Sequence, residues 1–344
     1  MTLRKLRNKL LFLTQTAAPK KILNLIVKEI ELALNRDRLA CLPNALTIDI
    51  GNVCNLRCPL CPTGRGDKSA GRGLMKIEDY KKVIDELAPC LTNLQLHNWG
   101  EPLLHNGLVD MIRYAKERSV PVSISTNLTL LKPDQAEGLM GTFIEKIFIS
   151  CDGASRETYG KYRVGGDFDD VVDNIRMLVR AKKKIGNRYT RLKLLFHVFR
   201  HNEHEIGSIK DLAGRLGVEL LIDRMRPDMG KEIFEKARDA IRRDKEWMPE
   251  NKEYSPFDLE KEEKLKATSC RELWGKSVVN WDGSVFPCCA VYGDRYSFGN
   301  ALSEGFASVW NGKKYVAARK EILGKIKASN TVCHICKQND FLHL

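Results

Sequence analysis

The chain has 344 residues, 43% hydrophobic and 29% charged, and this composition excludes global disorder. The length fits one large domain of about 200–250 residues plus a smaller one. No apolar run reaches the roughly 18–20 residues that a membrane-spanning helix needs, and the run at 10–13 is too short for a signal peptide. We therefore expect a cytoplasmic protein. Lysine and arginine (57) exceed aspartate and glutamate (44), leaving a net charge of +13.

Residues 46–222 alternate short β-rich runs with helical patterns. The alternation predicts strands at 46–50, 94–97, 122–126, 146–150, 192–199 and 218–222. Gly186 is expected to end the long helix that begins near Phe168. Six strands, each followed by helix-length sequence, indicate an α/β fold with a parallel sheet. Because six units are too few for a closed eight-fold barrel, we expect an open or partial barrel.

The remaining sequence predicts three further parts around a barrel domain at 46–227. Residues 1–45 are expected to form an amphipathic helical extension, and 228–266 a charged helical linker without strands. Residues 267–344 are expected to form a small cysteine-rich module in which Asp282-Gly283 turns a β-hairpin.

The N-terminal extension has apolar residues at helical spacing, interleaved with lysines: Ile22, Leu23, Leu25, Ile26, Ile30 and Leu34 with Lys20, Lys21 and Lys28. A basic amphipathic helix of this kind can make peripheral contact with a membrane surface. The alternative is a helix that covers the open end or the bottom of the barrel.

Eleven cysteines in a cytosolic chain indicate metal binding or catalysis rather than disulfides. Cys54, Cys58 and Cys61 follow the first strand, at the edge of a parallel sheet where such folds place their chemistry. Three thiolates suit a soft metal, and on a four-iron cluster they leave one iron open. A zinc knuckle completed by a distant histidine is the alternative.

The Cys-x3-Cys-x2-Cys spacing after the first strand resembles the signature of the radical S-adenosylmethionine (SAM) superfamily. The resemblance implies a partial (β/α)6 barrel and a [4Fe-4S] cluster on these cysteines, with SAM on the open iron. It also implies reductive cleavage of SAM to a 5′-deoxyadenosyl radical that abstracts hydrogen from a substrate. Leu60 matches the apolar position near the adenine.

Further motifs resemble the family's SAM-binding segments. Trp99 replaces the first glycine of a Gly-Gly-Glu-Pro motif. The residues that the resemblance implies for SAM are Gly100, Glu101, Pro102, Ser125, Asn127, Ser150, Asp152 and Arg163. Other interpretations are a helix-start acid for Glu101, a simple turn for Asp152-Gly153 and a surface salt bridge for Arg163.

The C-terminal cysteines resemble the auxiliary-cluster module of the SPASM/twitch branch of this superfamily, which includes an amino-cyclitol dehydrogenase. That resemblance implies a second [4Fe-4S] cluster on Cys270, Cys288, Cys333 and Cys336. Cys289 is a spare that could exchange roles with Cys288. A zinc ribbon is the alternative.

These features favour an oxidoreductase or epimerase acting on a small polar molecule such as a sugar or cyclitol derivative. The alternative is a maturase that oxidises or cross-links a ribosomally made peptide. The basic balance suits an acidic flavodoxin or ferredoxin reductant, and the absence of an aromatic-basic motif weighs against nucleic acid. Four residues are open as proton acceptors: His97, His197, Arg224 and Arg226.

Overall fold

The computed structural model describes residues 18–225, 227, 234–255, 257–258, 260–264 and 270–339. Its strands are β1 (Ala45–Ile48), β2 (Asn93–Gln95), β3 (Val122–Thr126), β4 (Lys146–Ser150), β5 (Arg191–Val198), β6 (Glu219–Arg224), β7 (Phe257–Asp258), β8 (Glu263–Lys264), β9 (Lys276–Val279), β10 (Ser284–Phe286) and β11 (Gly299–Asn300).

The α-helices fall mainly between those strands. They are α1 (Pro19–Ala33), α2 (Ile77–Leu87), α3 (Leu108–Glu117), α4 (Pro133–Gly141), α5 (Arg156–Tyr162), α6 (Phe168–Ile185), α7 (Ile206–Leu216), α8 (Ala237–Asp244), α9 (Glu272–Gly275), α10 (Ala301–Glu304), α11 (Phe306–Trp310), α12 (Lys313–Ile322) and α13 (Val332–Gln338).

Strands β1 to β6 pair in chain order, all parallel, with helices in the connections. This confirms the predicted α/β class and the partial barrel of six units. The apolar residues of the strands and of α2, α3, α4, α6 and α7 form one continuous core. Helix α6 ends at Gly186, whose φ of 71° lies in the left-handed region that favours glycine.

The C-terminal cysteine-rich segment continues the barrel sheet. Strand β9 pairs in parallel with the free edge of β1, with Ile48 opposite Val279, and β10 and β11 extend the sheet antiparallel. The nine strands therefore follow the order β11-β10-β9-β1-β2-β3-β4-β5-β6. Edge strands have unpaired backbone groups, and pairing with β9 satisfies those of β1. This pairing joins two segments that are more than 200 residues apart.

The prediction of a linker without strands at 228–266 is wrong, because β7 and β8 form a two-stranded ribbon there. Nor is the segment purely a spacer. Trp247 packs at 5.6 Å from Tyr162 and 6.0 Å from Phe199, measured between ring centroids. Three of the predicted features lie outside the described residues: the boundary at 266/267, the cation Arg226 and residues 1–17. None of the described helices has the length and apolarity required to cross a membrane.

Candidate functional site

The first cysteine group lies in the loop that follows β1, at the carboxyl edge of the parallel strands. Cys58 is buried and Cys54 and Cys61 are half-buried. The Cys61 N–H donates to the Cys58 carbonyl at 3.1 Å. Burial, followed by Glu101 and then by the Cys58 and Cys61 thiols, raises the pKa of Cys54 to about 12. The three sulfurs are therefore close enough to interact electrostatically, as ligands of one cluster would be.

A buried ion pair stands beside this group. Arg163 pairs with Asp152 at 2.5 Å, and its Nη1 lies 3.8 Å from Cys58 Sγ. Asp152 also accepts the backbone N–H of His197 at 2.8 Å. Burial opposes ionisation of Asp152, but Arg163 and His197 hold its pKa down at about 2. The arginine is thus fixed against the cysteine loop by a fully buried carboxylate rather than by a surface partner.

Glu101 joins the ends of β2 and β3. One carboxylate oxygen accepts the Thr126 hydroxyl at 2.6 Å and the other accepts the Asn127 N–H at 2.7 Å. Glu101 also caps the short 3-10 helix at 102–104 through the Leu103 N–H, as the helix-start interpretation predicts. The amide of Asn127 then reaches Cys54 Sγ at 3.8 Å. Two of the predicted SAM-binding residues are therefore linked to each other and to the first cysteine.

Gly100, which follows β2, packs directly against the backbone of Gly51, which follows β1. A Cβ atom at this position would lie 1.7 Å from the Gly51 carbonyl oxygen, so only glycine fits. Leu60 is buried with Leu56 and Tyr162, next to the cysteines. The other predicted SAM residues lie at the carboxyl ends of β3 and β4 or just beyond β2: Ser125, Ser150 and Pro102.

The second cysteine group surrounds a single apolar cavity. Cys270, Cys288, Cys333 and Cys336 all line it, together with apolar side chains that include Leu273, Val291, Ile322 and Val332. Cys289 is not among the lining residues. Burial, followed by Cys270 and Cys336, raises the pKa of the Cys333 thiol. Four thiols around a largely apolar cavity fit a cubane cluster, which takes cysteine ligands and tolerates apolar surroundings.

Within the described ranges, no three His, Cys, Asp or Glu side chains meet closely enough to hold a single metal ion. A four-iron cluster makes a different demand, because each cysteine binds its own iron atom. Its ligands surround the cluster rather than converge on one point. Both cysteine groups have the donor type that such clusters take.

The C-terminal segment also packs directly on the first cysteine loop. Asp294 accepts the Gly71 N–H at 2.8 Å and donates its own N–H to the Ser69 carbonyl at 2.9 Å. Tyr292 meets the ring of Trp99 edge-on, with centroids 5.2 Å apart. The tryptophan that replaces a motif glycine therefore has a partner in the C-terminal segment.

Sequence reasoning missed the polar side chains at the ends of β1 and β9. Asp49 is fully buried, and burial raises its pKa to about 7. Its Oδ2 accepts the Trp99 N–H at 3.3 Å. Asn280 follows β9 and is 7% exposed, with no partner for its Oδ1 in the described part of the chain. A polar residue directly after an apolar strand was the available signal.

His97 completes this polar set just beyond β2. Burial lowers the pKa of His97 to about 4, so the ring is neutral at physiological pH. Its Nδ1 is buried without a hydrogen-bond partner among the described residues. Since β9, β1 and β2 are neighbours, Asn280, Asp49 and His97 lie at adjacent carboxyl ends. Buried polar atoms without partners are rare, and a ligand is one way to satisfy them.

The other proton-acceptor candidates differ from His97. His197 Nδ1 lies 3.3 Å from Asp152, so its ring faces the buried ion pair. Arg224 is exposed, and its Nε donates to the Glu253 carbonyl at 3.0 Å.

Comparison with known proteins gives two family matches. The radical SAM superfamily model matches residues 48–213, and an iron-sulfur cluster-binding domain model (SPASM) matches residues 270–337. Among curated proteins, the chain is 27% identical over 283 residues to the mycofactocin maturase MftC of Mycolicibacterium smegmatis. That alignment covers 78% of this chain and 70% of the maturase.

Two solved structures show the same fold. Streptococcus suis SuiB bound to its precursor peptide SuiA aligns with a TM-score of 0.61 at 14% identity, over 84% of this chain and 69% of SuiB. BtrN in complex with AdoMet and 2-DOIA aligns with a TM-score of 0.51 at 17% identity, over 82% of this chain and 87% of BtrN.

Proposed function

Because residues 48–213 match the radical SAM superfamily and residues 270–337 a SPASM domain, we propose that the protein oxidises or epimerises a small polar substrate. The observation that carries this proposal is the set of polar side chains at the neighbouring ends of β1, β2 and β9, namely Asp49, His97 and Asn280. The set is neutral at physiological pH when Asp49 keeps its proton. Hydroxyl groups of a sugar or cyclitol derivative would satisfy the unpartnered atoms His97 Nδ1 and Asn280 Oδ1.

In this proposal the two cysteine groups would hold two [4Fe-4S] clusters. Cys54, Cys58 and Cys61 would hold the cluster that binds SAM, and the four cavity-lining cysteines would hold the second. When bound, these groups supply hydrogen-atom abstraction by a 5′-deoxyadenosyl radical and an acceptor for one electron. Arg163, Glu101 and Asn127 would orient SAM, since each is already fixed beside the cysteine loop.

His97 is the proton-acceptor candidate that lies in this polar set, although burial, which lowers its pKa to about 4, makes it a weak base. Oxidation of a hydroxyl-bearing carbon must release a proton as well as a hydrogen atom and an electron. A neutral imidazole with an unpaired buried nitrogen can take that proton. Arg224 would instead serve substrate attraction at the exposed end of β6, and the net charge of +13 suits an acidic flavodoxin or ferredoxin as the reductant.

Peptide maturation is the second candidate, supported by the relatives. MftC is named a mycofactocin maturase, and the SuiB structure is bound to the precursor peptide SuiA. The exposed end of β6 offers room for an extended chain, because Leu221, Asp223 and Arg224 are all exposed. A peptide could present a side-chain hydroxyl to the same polar set.

The cluster assignment is tested by the iron, sulfide and zinc content of anaerobically reconstituted protein. We expect about eight irons, falling to about four in the Cys54/Cys58/Cys61→Ala triple variant. Four irons with zinc in the wild type would contradict the second cluster and would leave the C-terminal group structural.

The substrate class is tested by fractionating an extract of the source cells by mass. Each fraction is added to enzyme with SAM and dithionite, and 5′-deoxyadenosine is measured. Stimulation by the fraction below 1 kDa that survives protease treatment supports a small polar substrate. Stimulation only by a larger, protease-sensitive fraction would replace it with a peptide.

A further inference from the structure

Helix α1 packs on the protein with its polar side inward. Lys21 and Asn24 are only 2% and 8% exposed. The Lys21 ammonium donates to the Ser119 carbonyl at 2.6 Å, and Asn24 exchanges two hydrogen bonds with the backbone of Leu42 at 2.8 and 2.9 Å. Amphipathic helices on globular proteins normally bury the apolar face instead. The polar attachment directs the apolar face of α1 away from the protein.

That outward face is a continuous apolar stripe. Leu23, Ile26, Ile30 and Leu34 are 60%, 52%, 52% and 60% exposed. Their spacing of three or four residues places them on one side of the helix. Nine large hydrophobic residues are exposed in the described part of the chain, and four of them are these. Such clustering marks an interaction surface, whereas isolated exposed apolar residues do not.

The charge around the stripe identifies the partner. The first acidic residue of the chain is Glu29, and the sequence before α1 carries Arg4, Lys5, Arg7 and Lys9. On α1 itself, Lys20 is exposed, whereas Lys21 is buried and Lys28 pairs with Glu29 at 3.1 Å. Basic residues beside an apolar helix face bind anionic lipid headgroups while the apolar residues enter the headgroup boundary. We infer that the outward apolar face of α1 docks this protein on an anionic membrane surface.

Two other occupants fit the same stripe less well. From residue 23 to residue 34 a helix rises about 16 Å. With a width of about 10 Å, one helix diameter, the stripe covers about 160 Å². That area is small beside the roughly 800 Å² per partner of a standard stable interface, so a second copy is disfavoured. Residues 1–17 contain four cations and no acid, and therefore offer no opposite charge to Lys20. An anionic membrane complements both features: the acyl-chain boundary receives the apolar stripe, and the headgroups attract these cations.

The test is sedimentation of the full-length, cluster-reconstituted protein with vesicles. Vesicles of POPC with one quarter POPG are compared with vesicles of POPC alone. We expect at least tenfold stronger binding to the anionic vesicles, weakened by 0.5 M NaCl. The I26Q/I30Q variant removes two apolar side chains without changing charge and is expected to lose binding at least fivefold. The matched control S208Q/S308Q, at exposed positions elsewhere, should bind like the wild type.

Each other outcome overturns the inference. Undiminished binding of I26Q/I30Q would mean unspecific attraction by the basic surface. Binding that appears only after deletion of residues 1–17 would mean that this segment covers the stripe. A dimer in light scattering that I26Q/I30Q dissociates, without vesicle binding, would assign the stripe to a second copy. Circular dichroism and iron content verify that the variants are folded, and vesicle binding requires no SAM cleavage, so it is independent of the proposed function.

Discussion

Arg163 forms an ion pair with Asp152 at 2.5 Å, and the carboxylate side chain of that pair is completely buried. Pairs of this kind are sensitive to the loss of one partner, because the other charge is then left buried and uncompensated. The pair connects the turn after β4 to the loop that carries Cys58. It is therefore expected to support both the fold and the cofactor site.

Replacing Arg163 by alanine should destabilise the protein by about 3 kcal/mol, because Asp152 would lose its cation. The measurement is urea unfolding. The double variant R163A/D152A should lose less stability than the sum of the two single variants, since it leaves no unpaired charge. Additive losses would show that the two residues do not depend on each other.

Gly100→Ala should destabilise the protein by about 3 kcal/mol and reduce SAM binding, because the added methyl group would overlap the Gly51 carbonyl. The matched control is Gly160→Ala in helix α5, where a Cβ would meet no atom within 4 Å. That change should be neutral or stabilising by up to about 1 kcal/mol. Equal effects of the two substitutions on the melting temperature would contradict the close approach at Gly100.

Asp49 should make stability depend on pH. Burial raises its pKa from the ordinary 3.8 to about 7, so between these values the folded state holds a proton that the unfolded state has lost. The contribution of Asp49 to stability therefore falls as pH rises through this window, by up to about 1.4 kcal/mol per pH unit. Urea unfolding of wild type and Asp49→Asn between pH 5 and about 7 measures the difference in slope. Parallel curves would mean that Asp49 is ionised in the folded protein.

The variants Cys288→Ser and Cys289→Ser should show which of these two adjacent cysteines is a cluster ligand. Only Cys288 lines the apolar cavity with Cys270, Cys333 and Cys336. We expect Cys288→Ser to bind about four fewer irons than wild type, and Cys289→Ser to bind the full amount. Reversed iron contents would assign the ligand to Cys289.

His97→Phe should retain reductive SAM cleavage but lose product formation by at least about a hundredfold, because the phenylalanine ring has no proton acceptor. The control is His204→Ala, at an exposed position in the chain. Both rates are measured on one sample, 5′-deoxyadenosine for cleavage and the new product for turnover. Unchanged turnover in His97→Phe would exclude this histidine as the proton acceptor.

Local signals in the sequence account for the predictions that held. Strands 122–126 and 146–150 coincide with β3 and β4, because β-branched and apolar residues alternate there between clear turn signals. Gly186 ends α6 as expected. The spacing of Cys54, Cys58 and Cys61 predicted the superfamily that residues 48–213 match. Three thiols within eight residues can be recognised as a chelating group without knowledge of the tertiary structure.

Pairings between distant segments could not be read in the same way. The strands β7 and β8 have only two residues each, too few for a periodic pattern. The exposure of the α1 stripe was also hidden, because amphipathic spacing shows that a helix has two faces but not which one is buried. The hydrogen bonds that Lys21 and Asn24 donate to the backbone hold the polar face of α1 against the protein, so the apolar stripe faces outward.

The sequence by itself predicted the fold class, the superfamily that residues 48–213 match and the two cysteine groups, since all three depend on short-range spacing and strand periodicity. Only the tertiary structure placed β9 against β1 and so brought Asn280, Asp49 and His97 to neighbouring strand ends. It also brought Cys270 and Cys288 to the same cavity as Cys333 and Cys336. The physical reason is that burial and hydrogen bonding across distant segments are decided by the packing of the whole chain.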